Sequence, residues 1–198
     1  MNHVERYLEE LIAIARQLDR SAILNLVEEL VSLRERGGRL FVIGVGGSAA
    51  AAAHAVNDFR KLAGIEAYAP TDNVSELTAR TNDHGWETVF SGWLSESRLT
   101  PQDAILIFSV GGGDRERGIS ANIVSALEYA RKRGSRVLGI VGRDGGATLK
   151  AADVCVLIPP VDPELVTPHT EAFHAVIHHL LVSHPRLQRS RAKWESAE

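Results

Sequence analysis

Apolar residues at Val4, Tyr7, Leu8, Leu11, Ile12, Ile14 and Ala15 recur at helical spacing, which predicts an amphipathic helix over residues 2–18. A second helix follows, with Ser21 as its cap and Ile23, Leu24, Leu26, Val27, Leu30, Val31 and Leu33 on its apolar face. Gly37 and Gly38 end it. From residue 39 the rhythm changes. Short apolar runs RLFVIG, AILIFSV, SRVLGIV and DVCVLIP alternate with helix-length segments, and IEAYA at 65–69 adds a further short strand. Strands that read continuously apolar are covered on both faces. The pattern therefore predicts βαβ units: an α/β three-layer sandwich around a parallel five-stranded sheet, preceded by a helical hairpin. Connecting helices are expected near 48–63, 74–81, 86–96, 119–134, 145–152 and 168–183.

No repeat, low-complexity run or linker divides the chain, so residues 1–198 read as one domain. Within it, 1–37 form the hairpin, 38–183 the α/β core and 184–198 a tail. The hairpin precedes the first strand and has little sheet to cover, so it is expected to pack against another subunit. The tail carries Arg186, Arg189, Arg191 and Lys193, diluted by Glu195 and Glu198, and reads as a solvated or partner-contacting end.

A net charge of -3 offers no basic stripe to offset phosphate repulsion, which argues against nucleic acid as partner. The N-terminal segment has charges throughout and no apolar signal core, and no run approaches the ~20 residues that span a bilayer. The lone Cys155, inside VCVLI, reads as a buried strand residue and allows no internal disulfide. A cytoplasmic protein without membrane contact is the expectation.

Two strands run into glycine. The first enters Gly44-Val45-Gly46-Gly47-Ser48, and AILIFSV enters Gly111-Gly112-Gly113. Ligands of open parallel sheets bind beyond the carboxyl ends of the strands, and helix N-termini there favour anions. Glycines let the backbone approach a phosphate, while Ser48, Ser109 and Ser120 offer hydroxyls. The alanines after Ser48 let the helix lie close to the sheet. Gly44, Gly46 and Ala49 also satisfy a dinucleotide fingerprint, with Glu66 near the expected acidic position. Glu66 sits early in its strand, however, and that reading leaves the second glycine loop unused. No nucleotide cofactor is expected.

His54 and Asp58 are four residues apart, hence neighbours on one helix face, and Glu171, His174 and His178 likewise share a face. Such groups supply a proton-abstracting carboxylate, an imidazole partner and candidate metal ligands. His179 points about 100° away from His178 and reads as structural. Asp83 lies between helical segments, where a turn or capping role competes with a functional one. Asp144, in GRDGG, reads as a turn residue. Arg115 and Arg117 follow the second glycine loop, where one of them is a candidate to close on phosphate.

Taken in order, GVGGSAAAAAH, TDN, NDHGWETVF, the central-strand serine loop, GRDGG and TEAFHAVIHH resemble the sugar isomerase (SIS) domain, in its phosphoheptose isomerase branch, over about residues 1–183. The resemblance implies a flavodoxin-like fold and a homotetramer with active sites between subunits. It implies interconversion of sedoheptulose 7-phosphate and D-glycero-D-manno-heptose 7-phosphate through an enediol. Asp58 falls at the family's catalytic glutamate and His178 at its catalytic histidine. Gly46, Gly47, Ser48, Ser109, Gly111, Gly112 and Ser120 fall on the phosphate loops, Asp83 on the aspartate after asparagine, and Thr170 beside them. His54, Asp58 and His178 fall on the zinc ligands of some members, with Glu171 or His174 as additions. Departures from the family stand out. Val45 replaces a loop asparagine, the serine-rich second loop has become SVGGGDRERGIS, Asp58 is one methylene shorter than glutamate, Thr167 replaces an aspartate, and Thr170 replaces a metal-binding glutamine. The shortened carboxylate and the altered second loop motivate an alternative: a non-catalytic module binding a sugar phosphate effector or a protein partner, of the replication-initiator-binding type.

Overall fold

The computed structural model describes residues 2–196, so the last two residues of the expected tail lie outside the described residues. Strands β1 (Leu40–Ile43), β2 (Ala67–Tyr68), β3 (Ala104–Ser109), β4 (Arg136–Val141) and β5 (Val154–Leu157) form one parallel sheet in the order β2-β1-β3-β4-β5. β1 and β3 pair with Leu40 opposite Ala104 and Ile43 opposite Ile107, so both strands leave the sheet side by side at the same edge. The chain reverses its direction of travel across the sheet between these two strands, the position where such folds bind ligands.

Side chains alternate between two cores. Leu40, Val42, Leu106, Phe108, Leu138 and Ile140 face one layer, built from α2 (Arg20–Glu35), α3 (Gly47–Lys61) and α8 (Val166–Ser183). Phe41, Ile43, Ile105, Ile107 and Val137 face the other, where α5 (Val89–Glu96) and α6 (Ala121–Arg133) contribute Phe90, Trp93, Leu94, Ile123 and Leu127. Each fully buried Leu, Ile or Phe stabilises the fold by about 1.5–3 kcal/mol. Both strand faces are thus consumed by packing, and chemistry is displaced to helix seams and strand ends.

Helix α1 (His3–Gln17) begins with a capping box: Asn2 accepts from the Glu5 N–H and Glu5 accepts from the Asn2 N–H. It is tied to α8 by His169 on Glu10 at 2.8 Å, and to the segment before α8 by Arg6 on Asp162. Only Ile14 is buried; Val4, Leu8 and Ile12, one helical stripe, are 65%, 54% and 43% exposed. The N-cap of α2 is Asp19 rather than Ser21, because the Asp19 carboxylate accepts from the Ser21 and Ala22 N–H groups and the Ser21 hydroxyl.

Two further boundaries differ from the pattern. α5 is preceded by a 3-10 turn at Trp86–Thr88, and α6 starts at Ala121 because residues 114–119 fold into a tight turn bridged Asp114 to Ile119. Helix α4 (Val74–His84) extends past its expected end, so Asp83 sits in its last turn. The short α7 (Gly146–Ala151) connects β4 to β5. On β5 the half-buried Cys155 thiol is pushed up to about 12 by burial, which removes it as a nucleophile. The chain after α8 docks rather than floats: Leu187 is fully buried, and the Arg189 and Ser190 N–H groups donate to the Leu62 carbonyl. Beyond it, α9 (Lys193–Ser196) leaves Trp194 exposed. No helix among the described residues is long and apolar enough to cross a membrane.

Candidate functional site

The i, i+4 spacing on α3 places His54 and Asp58 on one face, and the alanines between Ser48 and His54 keep that helix thin enough to pack tightly on α8. In the seam, Asp58 Oδ2 lies 3.4 Å from His54 Nε2, 3.2 Å from His178 Nε2 and 3.5 Å from His179 Nε2. The other carboxylate oxygen accepts from the Asn57 side-chain amide at 3.0 Å. His178 is fully buried and Asp58 nearly so, while His54 and His179 are about half exposed, their side chains 52% and 53% accessible. Three imidazoles therefore surround one carboxylate at the point where the α3–α8 seam opens to solvent. His54, Asp58 and His178 come together as the sequence predicts. His179 was missed, because a 100° offset was read as pointing elsewhere; the seam lies between the two directions, and both rings reach it.

His178 carries a protonation conflict. Its Nδ1 faces the His174 carbonyl oxygen at 3.2 Å and its Nε2 faces the Asp58 carboxylate. A neutral imidazole has one proton for these two acceptors. Burial first, and then the neighbouring His179, lowers its pKa to about 4, so the doubly protonated form is disfavoured near neutrality. With the proton on Nδ1, a nitrogen lone pair confronts a carboxylate oxygen, and a cation between them resolves the opposition. The donor set, three imidazoles and a carboxylate with all ligand atoms within 4.8 Å of one another, suits zinc or a similar divalent ion.

The proposed additions to that set do not join it. His174 Nε2 bonds the Ile140 carbonyl in β4 at 3.0 Å, its ring stacks on Phe108 at 4.8 Å, and burial lowers its pKa to about 4. It is a core histidine. The Glu171 carboxylate lies against Gly47, where a Cβ would collide with it.

At the carboxyl edge of the sheet the two glycine loops lie side by side. Gly46 adopts φ +62° as the N-cap of α3, which has no side-chain cap, and Ser48 follows, 2% exposed. In the second loop the Ser109 hydroxyl accepts from the Gly112 N–H at 3.0 Å, and the Gly112 carbonyl accepts from the Thr148 hydroxyl at 2.7 Å. Gly111 lies beneath the Arg143 side chain, and Ser120 caps α6 in a left-handed conformation without using its hydroxyl for the cap. Thr170 is buried at the same edge, with its side chain against Gly142. It is eight residues from His178, about 12 Å along α8, and does not reach the ion site of its own chain.

Two expected residues have other partners. The Arg115 guanidinium pairs with Glu128 on α6 and Arg117 faces Asp114 at 3.6 Å, while both residues line a cavity with Gly111 and Gly113 of the second loop. The inserted turn supplies the Arg117 partner itself, and α6 supplies that of Arg115. Asp83 accepts from Asn82 on a helix whose Leu77 packs into the second core, across the sheet from the imidazole cluster. Glu66, the candidate ribose acid, precedes β2 and accepts from the Tyr68 hydroxyl at 2.8 Å.

The SIS domain family matches residues 5–142. Phosphoheptose isomerase from Trichlorobacter lovleyi is 31% identical over 186 residues, covering 90% of this chain and 89% of that protein. Lincomycin biosynthesis protein LmbN of Streptomyces lincolnensis is 36% identical over 151 residues, 73% of this chain; the match spans 54% of that longer protein. The solved structure of phosphoheptose isomerase GmhA from Neisseria gonorrhoeae superposes with a TM-score of 0.78 at 26% identity, covering 90% of this chain and 95% of that one. The chain belongs to the SIS domain family, as an isomerase of the phosphoheptose isomerase type.

Proposed function

We propose that this protein interconverts sedoheptulose 7-phosphate and D-glycero-D-manno-heptose 7-phosphate, or a close ketose–aldose phosphate pair. The observation carrying this reading is the Asp58–His178 pair, 3.2 Å apart, set between α3, which begins at the first glycine loop, and α8 packed against it. From Ser48 to His54 is six residues, about 9 Å along α3, a separation of the order of an extended seven-carbon sugar phosphate. The phosphate rests on the Ser48 loop and on the Ser109–Gly112 and Ser120 turns; the carbonyl end lies over the seam.

There Asp58 takes the proton from the carbon next to the carbonyl, electrons move onto the carbonyl oxygen, and an enediol forms. Return of the proton to the neighbouring carbon completes the isomerisation, while the imidazole of His178 moves a proton between the two substrate oxygens. The same atoms make up the cation-binding set, so each performs one role at a time. His54, Asp58 and His178 would hold a divalent ion there, which would supply positive charge beside the carboxylate.

The active unit is a homo-oligomer, a tetramer by family likeness. The exposed Val4, Leu8 and Ile12 stripe gives the hairpin an apolar face to bury. The half-exposed Val176 and Leu180 flank the open side of the cluster and give a neighbouring subunit a surface to close. Asp83, across the sheet from its own cluster, then serves a neighbour's site.

Incubation with sedoheptulose 7-phosphate, with and without added zinc, followed by NMR, should show the aldose product. Absence of turnover on this and on other C5–C7 ketose phosphates would remove the substrate assignment. Sedimentation should give a species larger than one chain, and a Leu8→Asp variant should shift it toward monomer.

A further inference from the structure

We infer that His179 is a metal ligand of this chain, completing a four-ligand set of His54, Asp58, His178 and His179. The inference rests on the metal-binding part of the reading above and goes beyond it in naming a ligand.

Geometry is the first support. Charge-assisted N–H···O bonds run at about 2.7–2.9 Å, and the three Nε2–Oδ2 separations of 3.2, 3.4 and 3.5 Å are all longer. Zinc–nitrogen bonds of about 2.0–2.1 Å give a tetrahedron with edges of about 3.3–3.4 Å. The three observed distances lie close to edges of that figure, with Asp58 Oδ2 at the shared corner, and the four ligand atoms all lie within 4.8 Å of one another. One carboxylate oxygen approached by three ring nitrogens is also more than its two lone pairs serve as a hydrogen-bond acceptor.

The His179 ring itself gives the second support. Half of its surface meets water, where an unengaged imidazole would extend freely. Instead it folds back, with its centroid 4.0 Å from the His178 ring and 5.0 Å from the His54 ring.

With four protein ligands a tetrahedral ion retains no open position. Here it would clamp α3 to α8 and orient Asp58 rather than take a substrate oxygen.

The test uses the full-length protein, stripped with chelator and titrated with zinc against a competing indicator. Cobalt(II) is loaded in parallel as a spectroscopic probe. Wild type should take one ion per chain and give the intense visible bands of tetrahedral cobalt. His179→Gln should weaken zinc binding by more than the ~10–100-fold that altering an outer partner of a ligand costs. Its cobalt bands should fade toward those of a higher-coordinate, water-ligated ion. The exposed position keeps the stripped variant folded, which circular dichroism and its metal-free melting point verify. If His179→Gln matches wild type in affinity and spectrum while His178→Gln does not, the ligand assignment is overturned and the metal reading survives. If stripped wild type takes up neither ion, both are overturned.

Discussion

The α3–α8 seam and the strand-end loops share one helix, α3, but are made of different materials. In the seam, four side chains converge on one point, and the protein leaves their donor atoms directed at each other. At the strand ends the backbone does the work, and much of it is already committed. Ser109 accepts from Gly112, Gly112 accepts from Thr148, Glu171 lies against Gly47, and Arg115 is held by Glu128. The seam is poised for a ligand. The loops are pre-shaped, and what they offer an anion is hydroxyls and the start of two helices. Reactivity concentrates where side chains remain unsatisfied, and positioning where the backbone is locked.

Perturbations should separate the two regions. Replacing His178 by Gln should lower kcat by about 10²–10⁴-fold with little change in KM, read from initial rates. A comparable rise in KM with kcat intact would move His178 from chemistry to binding. In the loops, Gly112→Ala should cost stability first. Gly112 has φ +69°, and a Cβ there would strike the Gly145 carbonyl. A loss of about 1–3 kcal/mol is expected from chemical denaturation, with activity falling as the loop shifts.

Acid should act through the seam layer. Burial holds His174 and His178 at about 4 against the ordinary 6.5. Between those values the unfolded chain binds protons that the native chain refuses. Stability is therefore full above about pH 6.5 and declines as pH falls toward 4, by roughly 2–3 kcal/mol per histidine. Urea midpoints of the chelator-stripped protein across that range check this, and a flat profile would contradict it. Smallest of all, Arg115→Ala should change turnover less than about twofold, because an exposed pair with Glu128 contributes only ~0–1 kcal/mol. A large loss would return Arg115 to the phosphate.

The same contrast explains what the sequence disclosed. The five strands, their parallel direction and both layers follow from apolar runs that fill both faces of a sheet, and helix periodicity put His54 and Asp58 on one face of α3, while family resemblance brought His178 to them. His179 escaped because single-helix geometry does not say where the neighbouring helix lies. Arg115 was assigned by nearness to the glycines in sequence, whereas its partner, Glu128, is one helix further on. Ser21 lost the cap of α2 to Asp19, two residues earlier, whose carboxylate accepts from both free N–H groups. Loop chemistry of this kind is decided by partners that periodicity does not encode.

The most direct test follows hydrogen rather than product. Sedoheptulose 7-phosphate incubated in deuterium oxide with wild-type protein should gain deuterium at the carbon that bears the transferred proton. Asp58→Asn should gain none while still binding the substrate. Exchange that persists undiminished in Asp58→Asn would place the base elsewhere and contradict the seam as the seat of the chemistry.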